Sequence, residues 1–325
     1  MTKTKGAVKV VIRIGVGLAV LGFVVLRHPA GLVDELKHAH VAWLILAFAS
    51  IIAGLFVSAL RWRVYLTALD LHLSWPALFR LYFVGTFFNA FLPTGIGGDG
   101  YKAVRLGKDR DAMTRAFASV FLDRFAGIVG LAAIGFTSTV ILFVRHERGT
   151  VTLLSLALSG GIVVAALAVM IGGDRLAGVF IPDRGFFAKI RTAVREIELG
   201  SKHPDTIAPG LGFGILFQLL VLGYHLAVAR ALDIHLGVPE MSAIVVIASL
   251  ATMIPITING LGFRESSYKW GLVKFGAIAA GSHKGPAFAI AILGVLLASS
   301  AVGGLVYIVR GGEIAGKGSL LASEG

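Results

Sequence analysis

The chain of 325 residues contains no cysteine. Disulfides, thiolate catalysis and cysteine-ligated metals are therefore excluded. Charge is scarce too, at 15% of residues, where a soluble domain carries about 25%. Acidic side chains are the scarcest, 18 against 30 Lys and Arg, for a formal charge of +12. In a soluble chain that excess would suggest nucleic acid. Here 56% of residues are hydrophobic and mean hydropathy is +0.85. The excess is therefore read as a bias toward the cytoplasmic face of a membrane, and no nucleic-acid partner is expected. The sequence also has no Walker A lysine, no nucleophile–base set and no zinc helix. His38-x-His40, on a predicted outer loop, is no convincing metal spacing. Neither a metal, a cofactor nor an enzymatic activity is expected.

What the chain has in abundance is long apolar runs. They predict an all-α polytopic membrane protein, a single transmembrane domain over residues 1–325. Helix 1 is expected over about Ala7 to Leu26. Arg27-His28-Pro29 makes a poor signal-cleavage site, so this helix is read as retained. Further spans are expected at Val41 to Leu60, Ala116 to Val144, Val151 to Ile171, Ile207 to Ala229 and Pro286 to Val309. Arg61-Trp62-Arg63 then reads as a basic and aromatic interface anchor. Arg184 to Lys202 is amphipathic, with Phe187, Ile190, Val194 and Ile197 on one face, and suits the inner interface.

Two stretches interrupt this pattern. Asn89 to Arg105 reads N-A-F-L-P-T-G-I-G-G-D-G-Y-K-A-V-R. Pro93 and the glycines at 95, 97, 98 and 100 prevent a helix from running through. Pro255 to Arg264 reads P-I-T-I-N-G-L-G-F-R and matches it 162 residues later. Pro93 aligns with Pro255, Gly98 with Gly260, Gly100 with Gly262 and Lys102 with Arg264. Broken backbone at membrane depth is tolerated only where protein or water surrounds it. Two re-entrant hairpins are therefore expected, around Trp75 to Arg105 and over Met241 to Phe275. The halves would be repeat A, about residues 1–146, and repeat B, about 150–310. With the amino terminus inside, 20 Lys and Arg fall on inner segments and 9 on outer ones. Both termini are then cytoplasmic. Three crossings separate the hairpins, so they would open to opposite faces as an inverted repeat. Full crossing by both hairpins, giving eight spans, is the alternative.

The candidate site lies at the hairpin tips. Helix breaks at Pro93 and Pro255 expose half-helix amino termini, whose amides at Gly97, Gly98, Gly260 and Gly262 carry partial positive charge and bind anions. Lys102 and Arg264 would add full charges from opposite sides, with Arg105 close behind. Asn89 and Asn259 would supply neutral hydrogen bonds. Asp99 and Glu265 are either local counter-ions or coupling carboxylates. Asp123 and Arg124 are adjacent in an apolar helix, and no neighbour at i±3 or i±4 can pair with either. Their partners are expected on hairpin 1, unless Arg124 snorkels to headgroups. Gly95-x-Gly97-x-x-Gly100 lacks the βαβ setting of a dinucleotide site.

N-x-x-L-P-T-x-I-G-G-D-x-x-K-A from Asn89, S-V-F-L-D-R-F-A-G from Ser119 and P-I-T-I-N-G-L-G-F-R-E from Pro255 occur in this order. Together they resemble the transmembrane domain of lysylphosphatidylglycerol synthase and its stand-alone, flippase-like relatives. The resemblance implies a bacterial or archaeal cytoplasmic-membrane protein that moves a lipid, or a lipid-linked group, between leaflets. An anionic or phosphate-bearing lipid is the expected ligand. The synthase's soluble aminoacyl-transfer half is expected to be absent after Gly325, so lysyl transfer is not implied. The alternative function is a non-transporting accessory subunit, with a lipid-modifying or glycolipid-synthesis enzyme as its partner. A cysteine-free chain suits single-cysteine labelling. Cysteines replacing Arg148 and Lys284 are predicted to label from outside, and one replacing Lys317 from inside. Labelling of positions 284 and 108 from one side would overturn the inverted arrangement.

Overall fold

The structure is a computed structural model and describes residues 30–91, 97–107, 110–180, 191, 204–253 and 263–309. Predicted helix 1 and the greater part of the amphipathic segment lie outside them. The described helices are α1 (Ala30–Lys37), α2 (Val41–Ala68), α3 (Trp75–Phe91), α4 (Gly97–Leu106), α5 (Arg110–Val144), α6 (Thr150–Phe180), α7 (Pro204–Ala231), α8 (Val238–Met253), α9 (Phe263–Lys274) and α10 (Lys284–Val309).

Five of them, α2, α5, α6, α7 and α10, are long and apolar enough to cross a bilayer. Their apolar parts run from 23 to 33 residues, against about 20 needed for a hydrocarbon core of about 30 Å. They correspond to the second to sixth predicted spans. By contrast α3, α4, α8 and α9 have 17, 10, 16 and 12 residues. Each is shorter than a span, and together they occupy the places of the two expected hairpins. The protein is thus an all-helical, multi-pass membrane protein.

Several boundaries differ from the sequence-based expectation. Helix α2 runs two turns past Leu60, to Ala68, so Arg61 and Trp62 are inside it and buried. Only Arg63 keeps the anchor role, with its guanidinium 3.7 Å from the Trp75 ring centroid. Helix α6 continues beyond Ile171 to Phe180, across a kink at Gly172 (φ −152°, ψ 35°).

Helices α2 and α7 end in the same turn. Asp70 adopts φ 53°, and Leu71 N–H donates to Leu66 O at 2.8 Å while Asp70 N–H donates to Thr67 O at 3.1 Å. Asp233 also adopts φ 53°, with Ile234 N–H on Ala229 O at 2.8 Å and Asp233 N–H on Arg230 O at 3.2 Å. This 6→1 and 5→2 pairing is the Schellman cap, and aspartate tolerates its left-handed position better than most residues. The underlying sequences are nearly identical: A-L-D-L-H-L-S-W-P from Ala68 and A-L-D-I-H-L-G-V-P from Ala231. In each case the proline then sits in the first turn of the next helix, α3 or α8, where its missing N–H costs nothing.

Packing follows the same correspondence. Helix α2 lies along α7, α3 packs on α10, and α8 packs on α5. The first arm of each hairpin region thus leans on a long helix of the other half. At the crossing of α5 and α7 the backbones touch: a Cβ added to Gly130 would lie 2.7 Å from the carbonyl of Gly214. Small residues permit such close approach, which drives helix association where lipid removes the hydrophobic incentive. Gly130→Leu should therefore force the two helices apart and lower the melting temperature in detergent, by about 1–3 kcal/mol of overpacking or more. An unchanged melting curve would contradict this contact.

Candidate functional site

Asp99 stands in the first turn of α4, where a carboxylate complements the helix dipole. It is 5% exposed. Three side chains converge on it. Lys102 Nζ lies 3.0 Å from Oδ1, and Arg124 places Nε and Nη2 each 2.8 Å from Oδ2. Asn89, near the end of α3, donates to Oδ1 at 3.4 Å. The Asn89 Oδ1 in turn accepts the Gly98 N–H at 2.7 Å. That bond satisfies one of the orphan donors at the start of α4 from the neighbouring helix. Close packing makes it possible, because a Cβ on Gly98 would collide with the carbonyl of Gly85 on α3.

Lys102 is buried, and its ammonium also lies 4.5 Å from the Tyr82 ring centroid and 5.0 Å from that of Trp62. A cation over aromatic faces is held there electrostatically. Beyond these rings lies a second pair. Arg61 Nε donates to Asp123 Oδ1 at 2.7 Å, with side chains 4% and 2% exposed. Tyr82 O–H reaches Asp123 Oδ2 at 3.4 Å. Trp62 Nε1–H donates to Ser119 Oγ at 3.1 Å, fixing α2 against α5. Arg61 Nη1 is buried without a hydrogen-bond partner, and its guanidinium carbon lies 5.4 Å from the Phe217 ring centroid.

Successive residues on a helix point about 100° apart. Asp123 therefore turns toward α2 while Arg124 turns toward α4. One turn of α5 thereby ties the hairpin region to α2. The network holds Arg61, Lys102 and Arg124 against Asp99 and Asp123, an excess of one positive charge. Arg124 is its exposed member, with half of its side-chain surface free.

The second half is built differently. Arg264 is buried, with Nη2 3.1 Å from Glu265 Oε1 and Nε without a hydrogen-bond partner. One turn further, Tyr268 O–H donates to His225 Nε2 at 2.8 Å, and His225 Nδ1–H donates to Val221 O at 2.8 Å. The carbonyl facing Nδ1 fixes this tautomer. Tyr224 and Phe288 pack around the imidazole.

Of the sequence-predicted residues, Asn89, Gly98, Asp99, Lys102, Asp123 and Arg124 come together in one network, and Gly97 opens α4 beside it. Lys102 faces Asp99 of its own helix, and Arg264 faces Glu265. Arg105 lies further along α4, its guanidinium 5.7 Å from the Tyr101 ring centroid. Arg124 pairs with Asp99 on α4, whereas Asp123 pairs with Arg61 on α2. Pro93, Pro255, Asn259, Gly260 and Gly262 lie outside the described residues. Sequence reading missed Arg61, Trp62 and Tyr82 as site residues. The available signal was that apolar spacing continues through Val64, Tyr65 and Leu66, which places Arg61 within the membrane helix. Among the described residues no group of three or more His, Asp or Glu could hold a metal.

The family described as lysylphosphatidylglycerol synthase TM region matches residues 10–303. No curated protein and no solved structure shows significant similarity. The chain belongs to the lysylphosphatidylglycerol synthase transmembrane-region family, and is thereby a lipid-related membrane protein.

Removing one member of a buried ion pair strands the other charge, at a cost of about 3–5 kcal/mol. Asp123→Asn and Arg61→Gln should each lower the melting temperature in detergent sharply. Arg61→Met combined with Asp123→Leu should recover much of the loss. A double variant no more stable than the singles would contradict the pairing.

Proposed function

We propose that this member of the family is a flippase-like transporter, moving an anionic or phosphate-bearing lipid between leaflets by alternating access. The observation that carries the reading is the cationic excess at the break between α3 and α4, with Arg124 half-exposed on Asp99. Intramembrane charges of this kind belong to substrate pathways by default. A lipid phosphate offers the Arg124 guanidinium anionic oxygens in place of Asp99 Oδ2, which now takes both its Nε and its Nη2. Headgroup arrival would then exchange one anion for the other and loosen the hairpin from α5. Lys102 keeps Asp99 neutralised during the exchange, and Arg264 offers a buried cation in the second half.

In this reading the α3–α4 and α8–α9 pairs are re-entrant hairpins. Three long helices, α5, α6 and α7, separate them, so an odd number of crossings turns one inward and the other outward. Opposed repeats around a midplane site are the usual plan of alternating-access transporters. The site carries no expected cofactor, and both termini are assigned to the cytoplasmic side of the cell membrane.

The test is movement of a fluorescent phosphatidylglycerol in liposomes, followed by dithionite quenching at matched protein levels. Arg124→Gln should reduce the rate by about tenfold or more, the worth of a charge-assisted bond. Arg124→Lys should restore part of it, since lysine lacks the bidentate fork. Lys102→Gln and Arg264→Gln should also slow transport, and Lys317→Gln should not. Wild-type rates in all the site variants would remove the reading and leave the accessory-subunit role.

A further inference from the structure

A cavity lies away from the charged network. It is a groove of about 510 Å³ on the outer face, between α2, α3 and α10. Ligand sites typically have about 300–1,000 Å³. Phe56, Phe79 and Phe83 form one wall, with ring centroids 5.1 and 5.2 Å apart in edge-to-face contact. Val302 and Leu305 form the opposite wall. A single charged residue lines the groove, Arg80. It is half-buried, and no carboxylate pairs with it among the described residues.

A lone cation in an apolar channel at membrane depth is costly unless it reaches an anion. Its position along the helix says which anion is in reach. Trp75 opens α3 and stacks on Phe79 with Arg63 over its outer face, the aromatic and basic pairing of a membrane interface. Arg80 follows Trp75 by five residues, about 7.5 Å along the axis. An arginine side chain spans that distance by snorkelling toward the headgroups. From there the groove runs inward past Phe83 and Val302. An amphiphile with a phosphate at one end and a hydrocarbon chain at the other matches this order.

We infer that this groove is a lateral docking site for an anionic phospholipid of the surrounding bilayer, its phosphate on Arg80 and one acyl chain along the Phe56–Phe79–Phe83 wall. The charge count assigns the groove to the cytoplasmic leaflet. The site is distinct from the network at Asp99, and its occupancy is measurable whether or not the protein transports, so failure of one reading leaves the other standing.

Trp75 borders the groove and reports on it. The full chain is reconstituted in phosphatidylcholine liposomes containing increasing fractions of brominated-chain phosphatidylglycerol or brominated-chain phosphatidylcholine. The Trp75 signal is the difference between wild type and Trp75→Phe. Brominated phosphatidylglycerol should half-quench it at a mole fraction about tenfold lower than brominated phosphatidylcholine, as one charge-assisted contact predicts. Arg80→Gln should abolish this preference while leaving quenching by phosphatidylcholine unchanged, which also shows that the variant is folded. Val302→Phe should reduce quenching by both lipids. Equal quenching by both lipids in wild type means annular lipid only and overturns the proposal. Absence of quenching by either means protein covers the groove and overturns it too. So does a preference that survives Arg80→Gln.

Discussion

A charge inside a bilayer must find a partner, because no water is there to solvate it. Five charged side chains meet this demand jointly, on three separate helices. Asp99 on α4 takes Lys102 from its own helix and Arg124 from α5, and Asp123 on α5 takes Arg61 from α2. The Asp99–Arg124 and Asp123–Arg61 bonds therefore also fix helix positions. Removing Asp99, Arg124, Asp123 or Arg61 unbalances two elements at once. The first turn of α4 is held against α3 and α5 by this network and by Asn89.

The two halves share a chain path but not a chemistry. Counted from the near-identical turns at Asp70 and Asp233, Arg61 and Trp62 fall opposite Tyr224 and His225. The first half buries a hydrogen-bonded ion pair at this level, and the second buries a neutral His225–Tyr268 bond. That neutral pair lies within a buried apolar cluster that extends through α7, α8, α9 and α10. Of the five charged residues in the network, Lys102 alone aligns with a residue of the same sign, Arg264. The groove between α2, α3 and α10 adds an apolar surface contributed by both halves.

Much of this was legible in the residues. Scarce charge and runs of more than twenty apolar residues determined that the chain is a membrane helix protein. The spacing of Asp99 and Lys102, three apart, determined that they share a helix face, as the 3.0 Å pair confirms. The repeated A-L-D-x-H-L turn was equally readable.

Other features were decided by the tertiary structure alone. Arg61 and Asp123 are 62 residues apart, and Asp99 and Arg124 are 25 apart. Helical periodicity shows which side of its own helix each residue occupies. It does not show which residue of another helix stands at the same depth. That depends on how far one helix slides and rotates along its neighbour. Close backbone approach brings α4 onto α3 at Gly98 and Gly85, and α5 onto α7 at Gly130 and Gly214. Sequence determined the helices, their breaks and the charges each must neutralise. Tertiary packing decided which charge neutralises which, because pairing distances of 3 Å depend on interhelical register.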